Sequence, residues 1–199
     1  MVFDFIYHEH LSYFSVRPLI PFFQKHGMKL IDIEPISTKG GSLRYTVQLA
    51  GGPRKISSSV ANHVSMETTF GLQKIQTFKS FGDRIEKAKI ELLRRIHKII
   101  KQNKTIAGYG ASATTTTLLY HFDLNDSVRF LIDDYPKKQH TFTPGSHIPV
   151  LPSHVIYERN PDFIVILAWR YVQPIMNKNK QFLRHGGHFI VPLPKLRVI

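Results

Sequence analysis

Cysteine is absent from the 199 residues of this chain, so the sequence predicts no disulfide framework and no thiolate chemistry. No apolar run approaches the ~18 residues that a transmembrane helix needs, and we therefore expect no membrane partner. The N-terminus contains no Lys or Arg before Arg17 and no small-residue cleavage site, which argues against a secretory signal. These absences together predict a cytoplasmic protein.

Acidic residues are also scarce, because 14 Asp and Glu face 27 Lys and Arg and leave a net charge of +13. Such a charge permits binding to nucleic acid, acidic lipid or a phosphorylated small molecule. The densest basic cluster lies in residues 84–104, where Ile85, Leu92 and Ile96 recur at helical spacing. This pattern predicts an amphipathic helix with a solvated basic face, so a nucleic-acid partner is not expected. A basic interaction protein remains the alternative.

The first fifty residues predict a helix and a hairpin. The helix covers 17–26, and strands at 28–36 and 42–50 flank a glycine turn. An isolated two-stranded hairpin is only marginally stable in water. The sequence therefore predicts the end of a larger sheet, or a hairpin that packs on the rest of this chain or on a second copy through its exposed edge.

The remainder predicts an α/β fold. Residues 65–103 are helical in pattern, with interruptions expected at Gly71 and Gly82. From Lys104 onward, nearly continuous apolar strands alternate with helices, which is typical of a Rossmann-like parallel sheet with flanking helices. The predicted strands are 105–108, 128–133, 147–151, 162–168 and 188–191, and the predicted helices are 111–121, 153–159 and 172–184. The predicted domains are 1–52, 53–104 (a helical linker) and 105–199.

A glycine turn follows the first of these strands. Gly108, Tyr109, Gly110 and Ser112 precede the predicted helix, and small residues there allow a phosphate to approach the backbone and the helix N-terminus. Asp133 or its neighbour Asp134 follows about twenty residues later, as in dinucleotide-binding folds, and of the two Asp133 is the candidate contact. These five residues are candidate substrate contacts. The alternative is a tight turn that needs small residues for packing.

A second cluster, Tyr7-His8-Glu9-His10, combines imidazoles with a carboxylate and a phenol. Histidine exchanges protons near neutral pH, so His10, Glu9 and Tyr7 are candidate catalytic residues. We expect no metal site, because the helical H-E-x-x-H motif and an obvious third ligand are both absent. The alternative is a polar loop with ordinary hydrogen bonds.

Trp169 and Arg170 follow an apolar strand, where open parallel sheets bind ligands. Arg170 could pair with a phosphate and Trp169 could stack on a base, so both are candidate substrate contacts.

Six blocks, in order, resemble one family. They are IYHEHLSYFS, TKGGSLR, GYGASA, TPGSHIPV, LAW and FIVPLPKLRV, and they span nearly the whole chain. The chain resembles the C-terminal half of S-adenosylmethionine-dependent sugar C-methyltransferases, which act on nucleotide-linked keto-deoxysugars. The resemblance implies that the N-terminal helix and hairpin are a remnant of the methyltransferase sheet. It also implies that residues 105–199 help to hold the nucleotide-sugar.

The resemblance further implies a mechanism. His10 would be the general base that removes a proton beside the sugar's keto group, and Tyr7 and Glu9 would line the sugar site. In the family, S-adenosylmethionine binds in a separate domain that precedes the YHEH segment. We therefore expect that the chain alone binds no cofactor and transfers no methyl group, and that a separate donor-binding domain is a partner. The alternative is a stand-alone nucleotide or nucleotide-sugar binding module.

This chain departs from the family pattern after GYGASA. Lys-Gly-Asn is typical there, whereas this chain has Thr114, Thr115 and Thr116. Lys39 and Arg170 stand where His and Asn are common. These departures predict an altered nucleotide contact or substrate.

Overall fold

The computed structural model describes residues 2–199. They form two compact units. One comprises residues 12–83, and the other combines the described residues up to Leu11 with Arg84–Ile199. The boundaries of these compact units lie after residues 11 and 83. The predicted domain boundaries at 52 and 104 stay predictions.

The unit of residues 12–83 contains a hairpin covered by helices. Helix α1 (Val16–Lys25) precedes the antiparallel strands β1 (Met28–Ile36) and β2 (Ser42–Leu49), and helix α2 (Ser58–Phe70) follows. Their small core is formed by buried apolar residues of α1, β1 and α2, namely Val16, Leu30, Ile33 and Val60, and partly buried side chains of β2 pack against it. The predicted hairpin is confirmed. Large apolar side chains nevertheless remain exposed in this unit, including Phe14, Leu49, Ile56, Met66 and Phe70.

Helix α3 (Ile75–Lys101) is continuous, so the expected interruption at Gly82 is wrong. A glycine inside a helix costs only about 1 kcal/mol. Here the buried stripe of Ile85, Leu92, Ile96 and Ile99 provides packing that offsets this cost. The expected interruption at Gly71 is confirmed, because Gly71 adopts a left-handed conformation that ends α2 before α3 begins.

The unit that contains the C-terminal residues is built on a seven-stranded sheet with the order β5-β6-β4-β3-β7-β8-β9. The chain passes through β3 (Ile106–Tyr109), α4 (Ala113–His121), β4 (Leu131–Ile132), β5 (Thr141–Phe142), β6 (Pro149–Leu151), α5 (Val155–Arg159), β7 (Phe163–Ile166), α6 (Val172–Lys178), α7 (Lys180–Arg184), β8 (His188–Val191) and β9 (Arg197–Val198). The predicted α/β class is confirmed. The antiparallel edge strands β5 and β9 were not predicted.

The order of the parallel strands determines where a site can form. The first parallel strand, β3, lies at the centre, with β4 and β6 on one side and β7 and β8 on the other. The strand order therefore reverses between β3 and β7, and open α/β sheets bind ligands beyond the carboxyl ends of strands at such a point. Gly110 and Ala168 lie just beyond these two ends.

Candidate functional site

A cavity of about 830 Å³ lies against the N-terminal end of α4. Its wall combines the N-terminal segment, the glycine turn, α4 and the β5 edge. Its lining residues include Tyr7, His8, Ser112, Thr116, Lys138 and Phe142. This volume falls within the usual range for small-molecule sites.

The imidazole of His10 is held in one orientation. Its Nδ1 lies 3.0 Å from the carbonyl oxygen of Phe5. A carbonyl oxygen only accepts hydrogen bonds, so Nδ1 carries the proton and Nε2 presents a lone pair. The Tyr7 hydroxyl lies 3.4 Å from Nε2, and the two rings are 4.4 Å apart between centroids. His10 therefore has the tautomer that a general base requires at Nε2.

The rest of the N-terminal cluster is less constrained. Glu9 is exposed, and its carboxylate lies 3.8 Å from His8 Nε2 rather than on His10. Tyr7 and His8 line the cavity, whereas Glu9 and His10 do not. His10 reaches the cavity wall through its contact with Tyr7.

Packing explains the two glycines of the turn. A Cβ on Gly108 would lie 2.4 Å from Leu131 Cδ2, and a Cβ on Gly110 would lie 2.5 Å from the Ala168 Cβ. Gly110 also has a φ of +100°, which favours glycine. The packing interpretation thus accounts for both positions, and a ligand is not needed to explain them.

The start of α4 is capped from within. Ser112 Oγ accepts a hydrogen bond from the Thr115 amide at 3.3 Å, and buried Thr115 donates its hydroxyl to the Gly110 carbonyl at 2.8 Å. The amides of Ala113 and Thr114 have no acceptor among residues 2–199. These two donors, at the positive end of the helix, are free for an anion.

The carboxylates after β4 already have protein partners. Asp133 accepts from the Ala111 amide at 2.7 Å and the Tyr135 amide at 2.9 Å. Asp134 accepts from the buried Tyr109 hydroxyl and forms an ion pair with Lys178. Burial, reinforced by Asp134, raises the pKa of Tyr109 far above its ordinary value, so the phenol stays protonated.

A second cavity, of about 390 Å³, adjoins this carboxylate cluster. Its lining includes five predicted contacts, Tyr109, Gly110, Ser112, Asp133 and Arg170. Gly108 and Trp169 line neither of the two cavities. Trp169 Nε1 and Arg170 Nη1 both donate to Asp4, at 2.9 and 3.1 Å.

The sequence prediction missed several residues of these walls. Lys138 lines both cavities, and Phe142 and Tyr120 line the larger one. Phe142 gives a weak signal, because a large aromatic in a two-residue edge strand has no periodic pattern around it. Asp4 is fully buried and gives no signal, since its partners lie about 165 residues away in the chain.

Within residues 2–199, no helix is both long and apolar enough to cross a membrane. The same residues contain no group of three or more His, Cys, Asp or Glu side chains arranged to hold a metal ion.

The fold and its cavities define an α/β protein with a candidate small-molecule site at the carboxyl edge of a parallel sheet. Residues 37–194 match the family described as the C-methyltransferase C-terminal domain, and the chain belongs to this family. The chain is also similar to the C-methyltransferase NovU of Streptomyces niveus, with 34% identity over 198 residues. That match covers 99% of this chain but 47% of NovU, so the chain spans about half the length of this relative. The predicted family is confirmed.

Proposed function

We propose that residues 2–11 and 84–199 bind a nucleotide-linked keto-sugar for C-methylation, with His10 as the general base. The observation that carries this proposal is the larger cavity. It brings the Tyr7-His8 segment and Ala113, whose amide at the start of α4 has no acceptor among residues 2–199, to one space of about 830 Å³. A nucleotide-sugar needs a phosphate-binding part and a proton-transfer part within one site.

The phosphates occupy the N-terminal end of α4 in this proposal. The amide of Ala113 donates to the diphosphate, and the Lys138 ammonium, which also lies 3.6 Å from the Asp133 carboxylate, supplies positive charge. The nucleobase stacks on Phe142, whose side chain is exposed on the wall of the same cavity. Thr116 also lines this cavity, at a position where the family typically has an amide side chain. In this proposal the Thr116 side chain therefore takes the place of that amide beside the nucleotide.

The sugar occupies the end of the cavity near Tyr7, with its reacting carbon placed past Tyr7 toward His10, which contacts Tyr7 but does not itself line the cavity. Nε2 of His10 removes the proton from the carbon beside the keto group, and the C–H bonding electrons move to form an enolate. The Tyr7 hydroxyl turns from Nε2 toward the enolate oxygen and stabilises its charge. Glu9 is assigned only to the outer part of the sugar site, because its carboxylate is exposed.

S-adenosylmethionine supplies the methyl group in methyltransferases of this type. The sheet of this chain does not fit the cofactor well, because a ribose needs a free carboxylate after the second strand. Asp133 and Asp134 both have protein partners at that position. We therefore propose that the donor binds in a separate domain, and that residues 1–199 alone transfer no methyl group.

The unit of residues 12–83 offers a surface for such a domain. Its hairpin has only two strands, and Phe14, Leu49 and Phe70 are among its exposed apolar side chains. Association with another domain would cover these exposed apolar side chains. The same surface could pair with a second copy of the chain, and sedimentation of the purified chain distinguishes a monomer from a dimer.

Deuterium exchange tests the base without any methyl donor. The chain is mixed with a thymidine-diphosphate-linked keto-deoxysugar in D₂O, and NMR follows the signal of the proton beside the keto group. We expect exchange faster than in buffer, loss of this acceleration in His10→Ala and its retention in His8→Ala. Equal rates with and without the chain would overturn the assignment of the base.

Two further measurements separate binding from catalysis. Titration calorimetry with thymidine diphosphate should show saturable binding. Binding without accelerated exchange would support the stand-alone binding module instead. Turnover by the chain alone with S-adenosylmethionine and the keto-sugar would contradict the separate donor domain.

A further inference from the structure

We infer that Asp4 is a positioning residue for His10, acting through Arg170 and Phe5. This inference rests on the proposed role of His10 as the base. It assigns to Arg170 a structural task in place of direct phosphate binding. It also gives a reason for an acidic side chain inside the core of a strongly basic protein.

Asp4 is completely buried, with a side-chain exposure of 0%. Its Oδ1 accepts from Arg170 Nη1 at 3.1 Å, and its Oδ2 accepts from Trp169 Nε1 at 2.9 Å. A buried carboxylate is tolerated only when it is paired and hydrogen-bonded, as here. The guanidinium of Arg170 is thereby fixed beside the N-terminal segment.

Arg170 connects this ion pair to the imidazole through Phe5. The guanidinium carbon lies 4.3 Å from the centroid of the Phe5 ring, a cation–π distance. The Phe5 ring stacks on the His10 ring, with centroids 5.5 Å apart and planes inclined by 9°. The Phe5 carbonyl also accepts from His10 Nδ1. Phe5 thus sets both the ring plane and the tautomer of His10, and Arg170 holds Phe5.

The segment has other attachments that do not involve Asp4. Phe3 is buried against Phe122, with ring centroids 5.4 Å apart. The Thr117 hydroxyl donates to the Ile6 carbonyl at 3.1 Å. These contacts flank Asp4 and keep the segment in place when Asp4 is replaced. The specific consequence of losing Asp4 is a change in the orientation of Phe5 and in the tautomer of His10.

The test is the tautomer of His10, read from imidazole ¹⁵N chemical shifts of the labelled chain at a pH where the ring is neutral. The unmodified chain should carry its proton on Nδ1. In Asp4→Asn and Arg170→Gln, the ratio of the Nε2–H to the Nδ1–H form should rise about two- to fivefold, which corresponds to the loss of one cation–π contact. Trp169→Phe removes the other hydrogen bond of Asp4 but keeps an aromatic ring beside Arg170, whose guanidinium carbon lies 4.9 Å from the Trp169 ring centroid, and it should leave the ratio unchanged.

Arg170→Lys provides a variant that keeps the ion pair with Asp4 but loses the planar group over Phe5. We expect Arg170→Lys to raise the ratio of the Nε2–H to the Nδ1–H form of His10 by the same factor, although the Asp4 carboxylate remains paired in this variant. An unchanged ratio in folded Asp4→Asn and Arg170→Lys would overturn the inference, as would an equal shift in Trp169→Phe. This result is separate from the deuterium-exchange test. If His10→Ala still accelerates exchange, the base assignment fails whatever the ¹⁵N shifts show.

Discussion

The Asp133 carboxylate accepts a hydrogen bond from the Ala111 amide at 2.7 Å and so ties the glycine turn to the end of β4. It also accepts from the Tyr135 amide at 2.9 Å. We expect Asp133→Ala to lower the free energy of unfolding by about 3–6 kcal/mol, because it removes two hydrogen bonds to a charged group, each worth about 1.5–3 kcal/mol. Urea denaturation measures the loss. Exposed Asp126 provides the control, and an equal loss in Asp126→Ala would contradict the prediction.

Phe142 should contribute to nucleotide affinity without contributing to stability. Stacking of a base on an aromatic ring is worth about 1–3 kcal/mol, so Phe142→Ala should weaken thymidine diphosphate binding by roughly 5- to 150-fold. Calorimetry with inorganic pyrophosphate should show no change, since pyrophosphate has no base. Phe70 is exposed to the same 66% and serves as the matched control. An unchanged affinity for thymidine diphosphate in Phe142→Ala would contradict the stacking of the nucleobase on Phe142.

The strands with clear turn residues on both sides could be predicted from the sequence. The predicted bounds of β1 and β8 agree with the structure, because Gly27 and the pair Gly186-Gly187 mark where these strands begin. β5 and β9 could not be predicted in this way. Each has two residues without the apolar run that identifies the equally short β4, so each is defined by its partner strand rather than by its own pattern.

The candidate site was predictable only in part. Local motifs identify Tyr7, His10 and Ser112, since the chemistry of each is visible within a few residues. Asp4 and Lys138 could not be predicted as part of the site, because they reach it through contacts with residues that are distant in sequence, and local spacing does not reveal such contacts. The carboxylate of Asp133 shows the reverse case. Its spacing imitates a ribose ligand, while its hydrogen bonds go to the protein backbone.

Asp162 gives the sheet a stability that depends on pH. The Thr105 amide donates to its carboxylate at 2.8 Å, and this hydrogen bond is the main cause that lowers the pKa of Asp162. Because the pKa of Asp162 is lower in the folded chain than in the unfolded chain, the carboxylate stabilises the fold fully at pH values above the unfolded pKa of about 3.9. This stabilisation is lost as the pH falls through the folded-state pKa. Asp162→Asn should therefore be less stable than the unmodified chain at neutral pH, by on the order of 1 kcal/mol or less given its partial exposure. The difference should shrink below about pH 4, and a difference that is constant from pH 7 to 3 would contradict this origin.

Gly110 and Gly186 separate backbone strain from steric conflict. Both have positive φ angles, +100° and +85°, so alanine is strained at either position. A Cβ at Gly186 meets no atom within 4 Å, whereas a Cβ at Gly110 would lie 2.5 Å from the Ala168 Cβ. Gly186→Ala should cost about 1 kcal/mol from strain, and Gly110→Ala should cost a further ~1–3 kcal/mol from overpacking.

The double variant Gly110→Ala/Ala168→Gly identifies the source of that additional cost. Removing the Ala168 methyl group leaves the Ala168 amide, which is 3.1 Å from the same Cβ position, so recovery should be partial. Thermal or urea unfolding of the four chains in this cycle gives the coupling energy between the two positions. A stabilising coupling would show that the closeness of β3 and β7 at their carboxyl ends, where the strand order reverses, requires glycine at position 110. Additive losses would instead attribute the requirement to the φ angle alone.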